Sequence, residues 1–478
     1  MSSMNSHGES EDLQPVHVLF FPFMASGHMP PLVDLAKLLA SRGVRATLLT
    51  TPGNAPADLP PSIHLYLIPF PSAAVGLPVG IENIAHLPIH QHPNFIAGVS
   101  MLRDDFRVAL ADLRPDAVVA DWLLPFAAPV ADEFCIPRFT FHGFSNIALC
   151  GQVSHFCQPL PPPSSAASGA EEELTFVVPN LPRRIEMLRS QMEDLNAVPA
   201  EAVKFIEEIR EWEMRSYGVV VNSFYELETE FADHVRQVIG RRTWHVGPVA
   251  SYDPKPAEEA HECLEWLDES EEPVLYVCFG SMGSFTAAQL RELALGLKAC
   301  GHPFIWAIRD AADVQQWWPD GDSERREEKR YLILKGWAPQ TAILNHPAVG
   351  GFVTHCGWNS CLEAISAAVP MATWPIFADQ FFNEKLITEV LEIGVPVGAT
   401  HCSLIPERRP LIAAAQIEKA LRRLMDDGGE EAKSMRTKVR ELALMAKKAT
   451  EEGGSSYDDV DKLVSDLRDL KENGMQQH

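Results

Sequence analysis

Short apolar runs alternate with amphipathic stretches twice along this chain of 478 residues. The first apolar run, residues 16–23, precedes a stretch at 29–41 whose leucines recur at helical spacing. Apolar runs that alternate with helices predict a parallel sheet covered on both faces. We expect the first half to continue with strands over 46–51, 63–70, 117–122, 138–142 and 217–224 and a helix over 94–113.

The same alternation restarts after Gly247-Pro248. Thr286 suits the N-cap of a helix that reaches Lys298. Two such halves predict an α/β protein with two facing Rossmann-like doubly wound domains and a ligand cleft at the carboxyl ends of their strands. The strands predicted for the second half are residues 274–279, 303–309, 350–354 and a strand-like run at 371–377.

Composition shifts divide the chain further. Pro-, Ser- or charge-rich stretches at 161–170 and 310–330 predict surface loops, the first of them mobile. The predicted division is a disordered N-terminus over 1–15, a first domain over 16–248, a linker over 249–260, a second domain over 261–455 and a C-terminal helix over 456–478.

Overall charge and cysteine usage exclude several classes of protein. A net charge of −25 argues against nucleic acid and anionic membrane surfaces as partners. Nine cysteines without a C-x-x-C pattern indicate reduced thiols in a cytoplasmic protein. The polar, acidic residues 1–15 do not resemble a signal peptide, and we expect no membrane span because no apolar run reaches about 18 residues.

Residues 337–380 carry the most specific chemistry, although they include no Lys or Arg. A turn around Gly357 opens a helix, and the partial positive charge of a helix N-terminus suits a diphosphate. Trp337 offers a flat surface to a base, Glu363 offers two oxygens to a ribose, and Asp379-Gln380 suits a sugar with several hydroxyls. The alternatives are that Trp337 belongs to the core, Glu363 is a solvated helix residue and Asp379-Gln380 is a polar turn.

This segment resembles the 44-residue signature box of the plant family-1 UDP-dependent glycosyltransferases. Gly27-His28, Ala120-Asp121 and residues 221–224, 244–248 and 279–281 are similar to further landmarks of that family, in the same order. The resemblance implies a GT-B fold whose C-terminal helix can cross back to the first domain, and UDP-glucose as the donor, because a terminal Gln is associated with glucose. Cys361 stands where the family has Thr or Ser. The donor-site residues that the resemblance implies are Ser281, Trp337, Ala338, Gln340, His355, Gly357, Trp358, Asn359, Ser360, Glu363, Asp379 and Gln380.

Transfer of a sugar to a hydroxyl needs a base, and a His at the carboxyl edge of the first sheet suits that role. His28 has this position, and the family's base lies in the same Gly-His pair. Asp121 ends a strand at the same edge, where it can stabilise the protonated His28 or, alternatively, cap the following turn. A single displacement would invert the anomeric centre. We expect no cofactor and no metal, because the patterns Asp320-Gly321-Asp322 and Asp459-Val460-Asp461 are more often solvated than metal-binding.

The acceptor pocket is expected in the first domain, whose loops are rich in apolar residues; we assign Gly27, Phe126, His142 and Phe144 to it. A flavonoid or another phenolic suits such a pocket; a triterpenoid, a steroid or attack by an aromatic carbon remains open. We expect a monomer whose partners are small molecules.

Three other functions compete with a transferase. A nicotinamide-dependent oxidoreductase would need G-x-G-x-x-G after the first strand, where Pro30-Pro31 stands instead. A non-catalytic nucleotide-sugar binder would keep the box and lack the base. An epimerase or phosphorylase would be distinguished by its products.

Overall fold

The computed structural model describes residues 14–157, 175–192, 200–240, 242–252, 262–309, 318, 330–426 and 428–475. The predicted loop at 161–170 lies outside these residues. So do residues 1–13 of the predicted disordered tail and most of the predicted 249–260 linker and 310–330 loop.

The first half of the chain folds around one parallel sheet. Its strands run in the order β3-β2-β1-β4-β5-β8-β9, and β6 and β7 form a separate antiparallel hairpin. Because β2 and β4 flank β1 on opposite sides, the loops that follow β1 and β4 lie side by side at the carboxyl edge. The strands are β1 (His17–Phe21), β2 (Arg45–Thr50), β3 (Ile63–Leu67), β4 (Ala117–Asp121), β5 (Arg138–His142), β6 (Thr175–Val177), β7 (Glu186–Leu188), β8 (Gly218–Val221) and β9 (Arg242–His245).

The second half repeats this design. Six parallel strands run in the order β12-β11-β10-β13-β14-β15, so the loops after β10 and β13 meet at the second carboxyl edge. The predicted class, two Rossmann-like doubly wound domains, is therefore confirmed. The strands are β10 (Val274–Cys278), β11 (Phe304–Ile308), β12 (Tyr331–Lys335), β13 (Val349–Thr354), β14 (Met371–Thr373) and β15 (Gly394–Pro396).

Helices cover both sheets, and two predictions about them have a clear outcome. The helix predicted over 94–113 is two helices that meet at Leu102, whose ψ of −5° is too far from the helical value to continue the first. Thr286 caps its helix as predicted, because its side chain accepts a hydrogen bond of 3.2 Å from Gln289 N. The helices are α1 (Met29–Ser41), α2 (His92–Met101), α3 (Arg103–Leu113), α4 (Ala127–Glu133), α5 (Asn146–Cys157), α6 (Ala200–Glu213), α7 (Thr229–Ile239), α8 (Glu262–Asp268), α9 (Ala287–Cys300), α10 (Gln340–Leu344), α11 (Trp358–Ser366), α12 (Gln380–Lys385), α13 (Ala414–Met425), α14 (Glu430–Thr450) and α15 (Ser455–Met475).

The last helix, α15, follows the second half in the chain but packs on the first sheet. Leu463 and Leu467 are fully buried in the apolar cluster that contains β1 and β4 side chains. Asp459 accepts a hydrogen bond from His245 N at 2.9 Å, and Asp461 pairs with Arg42. Asp459 is therefore buried in this packing and is not solvated as we expected, whereas Asp461 is exposed, as we expected. The domain bounds themselves stay predictions.

Candidate active site

His28 and Asp121 lie together at the carboxyl edge of the first sheet. Asp121 is the last residue of β4 and His28 precedes the first residue of α1, so the neighbouring loops bring them together. His28 Nδ1 lies 2.9 Å from Asp121 Oδ2, with side-chain exposures of 25% and 1%. Asp121 Oδ1 accepts a hydrogen bond of 3.0 Å from Leu123 N. The two alternatives for Asp121, orienting a base and capping a turn, are thus served by different oxygens of one carboxylate.

The environment of His28 makes it a stronger base than a free imidazole. Burial by itself lowers the pKa of His28, but the charge of Asp121, the hydrogen bond to Asp121 and the charge of Asp379 outweigh that effect and raise it above 6.5. With Nδ1 engaged by Asp121, the other ring nitrogen, Nε2, is the one left to take a proton.

A cavity of about 3470 Å³ lies between the two halves of the protein, which we call the first and second lobes. Residues of both lobes line it. His28 and Gly27 line it from the first lobe, and residues of the signature segment line it from the second. The candidate base and the candidate donor site therefore open onto one space, as the sequence predicted.

The turn around Gly357, which we call the signature turn, precedes α11, the helix that begins at Trp358. The ring of His355 packs closely against this turn. A Cβ added at Gly357 would lie 2.5 Å from His355 Nε2, and one added at Gly280, where φ is +68°, would lie 2.7 Å from the same atom. Glycine at position 357 is therefore needed to seat His355, in addition to any need for ligand approach. Burial lowers the pKa of His355 to about 4, so the ring is neutral at pH 7, and its Nδ1 has no hydrogen-bond partner within the described residues.

Two neighbours of this turn bridge the lobes. Trp358 is buried, and its Nε1 donates to Asn222 O at 2.7 Å, so the indole ties the lobes together and leaves its backbone for a ligand. Asn359 Nδ2 donates to Gly27 O at 2.7 Å, beside the candidate base.

Ser281 follows β10 on the same wall of the cavity, and the exposed Arg309 donates to its carbonyl oxygen. Arg309, which lies outside the signature segment, therefore places a cation beside Ser281 on this wall.

The candidate nucleoside site lies beside this turn. Trp337 is 79% exposed on the cavity wall, with the buried Ala338 next to it, so Trp337 is not the core residue of the alternative prediction. Gln340 holds Glu363 in place: Gln340 Nε2 donates to Glu363 Oε2 at 2.6 Å and to Ser360 Oγ at 3.0 Å. The carboxylate of Glu363 is thus oriented before any ribose binds.

Replacing Glu363 by Ala should raise the KM for the sugar donor about 10- to 100-fold while changing kcat less. The reason is that hydrogen bonds to a carboxylate are worth about 1.5–3 kcal/mol. Initial rates against donor concentration measure this, with Glu430→Ala, at a 95% exposed position, as the control. An unchanged donor KM would remove Glu363 from the donor site.

Asp379 and Gln380 close the site at the start of α12. Gln380 Oε1 accepts hydrogen bonds from Ile376 N at 2.8 Å and Phe377 N at 3.1 Å, so its Nε2 group is the part available to a sugar. Burial raises the pKa of Asp379 to about 6, although a hydrogen bond from Asn383, its own backbone N–H and the charge of His28 oppose the rise. The polar-turn alternative fits Gln380 in part, because its carbonyl oxygen shapes the turn.

Two of the four residues predicted for the acceptor pocket are placed elsewhere. Gly27 and Phe144 line the cavity, but His142 and Phe126 are absent from its described lining. His142 is buried with Nε2 3.0 Å from Glu213 Oε1, and Phe126 packs against aromatic side chains of the core. An apolar or aromatic residue after a strand can face the covering helices, and the assignment of His142 and Phe126 to the pocket stays a prediction.

One segment of the lining had no signal in the sequence. Residues 401–405 of the second lobe border the cavity. They are fixed to the first lobe by Ser190, whose Oγ donates to Thr400 O at 2.7 Å and whose carbonyl accepts from Cys402 N at 2.7 Å. Contacts between loops 210 residues apart leave no local pattern to find.

Two further features bear on the predicted partners. In the part of the chain that the structure describes, no group of three or more His, Cys, Asp or Glu side chains is arranged to hold a metal ion. None of the helices described combines the length and the apolar character that crossing a membrane requires.

The fold and the site together define a glycosyltransferase of the GT-B class, with two facing Rossmann-like lobes and a base at the edge of one of them. A family model described as UDP-glucoronosyl and UDP-glucosyl transferase matches residues 101–427. The chain belongs to this family and is an enzyme, which confirms the resemblance drawn from the signature segment.

Characterised relatives match nearly the whole chain. Scopoletin glucosyltransferase of Nicotiana tabacum is 43% identical over 483 residues, which cover 96% of this chain and 99% of that protein. UDP-glucose flavonoid 3-O-glucosyltransferase 7 of Fragaria ananassa is 45% identical over 494 residues, with coverage of 98% and 99%. The crystal structure of Glycyrrhiza uralensis UGT73P12 complexed with glycyrrhetinic acid 3-O-monoglucuronide superposes with a TM-score of 0.88 at 36% identity, covering 97% of this chain and 98% of that one.

Proposed function

We propose that this enzyme transfers glucose from UDP-glucose to a hydroxyl of a phenolic acceptor and inverts the anomeric centre. The observation that supports the proposal most is the 2.9 Å contact between His28 and Asp121 on the cavity that also holds Trp337 and Glu363. The names of the two relatives, which act on scopoletin and on flavonoids, favour glucose as the sugar and a phenolic as the acceptor.

In the proposed reaction His28 Nε2 takes the proton of the acceptor hydroxyl. The acceptor oxygen then forms a bond to the anomeric carbon. The bond from that carbon to the β-phosphate oxygen breaks, and its electron pair leaves with UDP. The developing imidazolium faces Asp121, and the leaving diphosphate faces the first amides of α11, so both charges meet groups that are already in position.

The acceptor end of the cavity supports a second candidate. Phe23, Ile84 and Phe144 give it an apolar wall, and the volume of about 3470 Å³ exceeds what one nucleotide sugar and one flavonoid need. The ligand of the Glycyrrhiza uralensis structure, glycyrrhetinic acid 3-O-monoglucuronide, is bulkier than a flavonoid. A triterpenoid or steroid acceptor is therefore the alternative.

UDP release from UDP-glucose in the presence of a panel of phenolic, triterpenoid and steroid acceptors tests both candidates. We expect acceptor-dependent release with phenolics, a β-glucoside by proton NMR coupling, and the same rate in EDTA. Glucose attached to a ring carbon would replace the O-transfer proposal, and the absence of acceptor-dependent release would contradict the proposed function. The cytoplasmic location and the monomeric state stay predictions.

Gln380→His should lower the preference for UDP-glucose over UDP-galactose. The substitution removes the carbonyl that holds Ile376 N and Phe377 N, and with it the position of the group that faces the sugar. The ratio of the two kcat/KM values measures the effect. An unaltered ratio would show that Gln380 does not select the sugar.

A further inference from the structure

The buried side chain of Asn383 connects the two lobes one helical turn after Asp379. Its Nδ2 donates to Asp379 Oδ2 at 2.7 Å and to Cys356 O, in the signature turn, at 2.8 Å. Its Oδ1 accepts a hydrogen bond of 2.6 Å from Ser145 Oγ of the first lobe. Both ends of the amide are thus occupied.

The orientation of this amide follows from its partners. Ser145 Oγ accepts a hydrogen bond from Ala148 N at 3.2 Å, so its own hydrogen is free to point at Asn383. If the amide were reversed, its oxygen would face the Cys356 carbonyl and the Asp379 carboxylate, two groups that cannot donate while the carboxylate is ionised. The Asn383 oxygen therefore faces the first lobe and its NH₂ group faces Asp379.

The lobes are in close contact at this point. A Cβ added at Gly151 of α5 would lie 2.3 Å from the ring of Phe382, so α5 and α12 meet with little space between them. The apolar core of the second lobe continues across this contact to Ile147 and Leu149. A shift of the first lobe would accordingly move Ser145 and, through it, the amide of Asn383.

We propose that Asn383 is a positioning residue which, through Ser145, couples the approach of the two lobes to the orientation and ionisation of Asp379 at the sugar site. The inference rests on the proposed function for the role of Asp379. Asn383 itself is not among the residues that line the cavity, and none of its described contacts is with the candidate base.

The charged groups around Asp379 define what the loss of Asn383 would do. His28 faces Asp379 from the first lobe, with Asp121 behind it, and residues 146–152 of α5 carry no charge. Glu363 of α11 is bound to Gln340, and Glu384 of α12 accepts a hydrogen bond of 2.6 Å from Thr373. The Asn383 hydrogen bond, the backbone N–H of Asp379 and the charge of His28 therefore oppose the effect of burial, and without the first of these the pKa of Asp379 rises further above about 6.

The sign of the effect on stability follows from linkage. The folded-state pKa of Asp379, about 6, lies above the unfolded value of 3.8, so its contribution to stability is complete below pH 3.8 and is lost as the pH rises through 6. A higher folded-state pKa increases that loss. In Asn383→Ala, the fall in Tm between pH 5 and pH 8 should be larger than in the wild type.

A double-mutant cycle with Asp379→Asn tests the proposal without relying on turnover. In the Asp379→Asn background, Asn383→Ala should leave the difference in Tm between pH 5 and pH 8 unchanged, and this comparison also subtracts the titration of Glu384, whose pKa burial raises to about 7. Ser145→Ala should change the wild-type difference in the same direction by less. Asn94→Ala is the matched control, because its amide donates to Val75 O and Asn94 is not among the residues that line the cavity.

Kinetics supply the second readout. Asn383→Ala should lower kcat about tenfold at pH 7, where a larger fraction of Asp379 is then protonated, and the loss should shrink as the pH rises. A Tm difference equal to that of the wild type, or an equal effect of Asn383→Ala with and without Asp379, would overturn the inference. If the wild type releases no UDP, the proposed function fails, whereas the cycle in Tm still decides whether Asn383 acts on Asp379.

Discussion

His28→Ala should lower kcat/KM by about 10²–10⁴-fold while the affinity for UDP stays within about twofold of the wild-type value. Nε2 of His28 is the nitrogen available to take the acceptor proton, since Nδ1 is engaged by Asp121. The wall that would hold UDP, at Trp337 and Glu363, belongs to the other lobe, so binding has no reason to change. Steady-state rates with a phenolic acceptor and calorimetry with UDP measure the two quantities.

The matched control is His64→Ala, because His64 lies on β3 at an exposed position away from the cavity. The control should keep the activity of the wild type. A His28→Ala enzyme with a near-normal rate would show that another group accepts the proton. A loss of UDP affinity equal to the loss of rate would instead indicate that the first lobe had moved.

The alternation of apolar runs and helices in the sequence predicted the strands of both sheets except β9, β12 and β15, and the order of strands explains why the base was found. His28 and Asp121 are 93 residues apart, yet Asp121 ends β4 and His28 lies in the loop after the neighbouring strand β1, at the switch point of the first sheet. A polar residue at the carboxyl end of a parallel strand can be recognised from the local sequence, and its position places it at the edge of the sheet where ligands bind. For this reason the pair could be predicted before the structure was known.

Contacts between the lobes could not be predicted in the same way. Trp358 was expected at the donor site, but its indole binds Asn222 O across the cleft, 136 residues away. Asn383 lies just past the signature segment and carried no signal, because its role depends on Ser145, 238 residues away. The pairing of buried polar groups between two domains depends on how the domains dock. The docking cannot be predicted from the hydrophobic periodicity or from the spacing of motifs.

The position of a residue at the end of a strand was not enough to predict which groups its side chain contacts. His142 ends β5 just as Asp121 ends β4, but its ring stacks on Trp122 at 6.0 Å and pairs with Glu213 of α6. The same position at a strand end thus brings Asp121 against His28 and His142 against Glu213. The difference arises from the helix that covers each strand, which a single sequence does not reveal.

Asp121→Asn should lower kcat/KM about 10²- to 10⁴-fold with almost no change in shape. Asn keeps an oxygen for Leu123 N, but it can present an NH₂ group to His28 Nδ1. That contact favours the tautomer in which Nε2 carries the hydrogen, and a protonated Nε2 cannot take a proton from the acceptor. The rate therefore falls even though His28 is present.

The pH profile separates this explanation from general damage. In the wild type the charge of Asp121 and its hydrogen bond raise the pKa of His28 above 6.5 against the effect of burial. Without them burial prevails and the pKa of His28 falls, so the acid limb of kcat/KM that reports His28 should move to lower pH. Asp112→Asn, at a carboxylate that accepts from Tyr66 on the surface, should leave both rate and limb unchanged. A limb that stays above pH 6.5 in Asp121→Asn would mean that Asp121 does not set the protonation of His28.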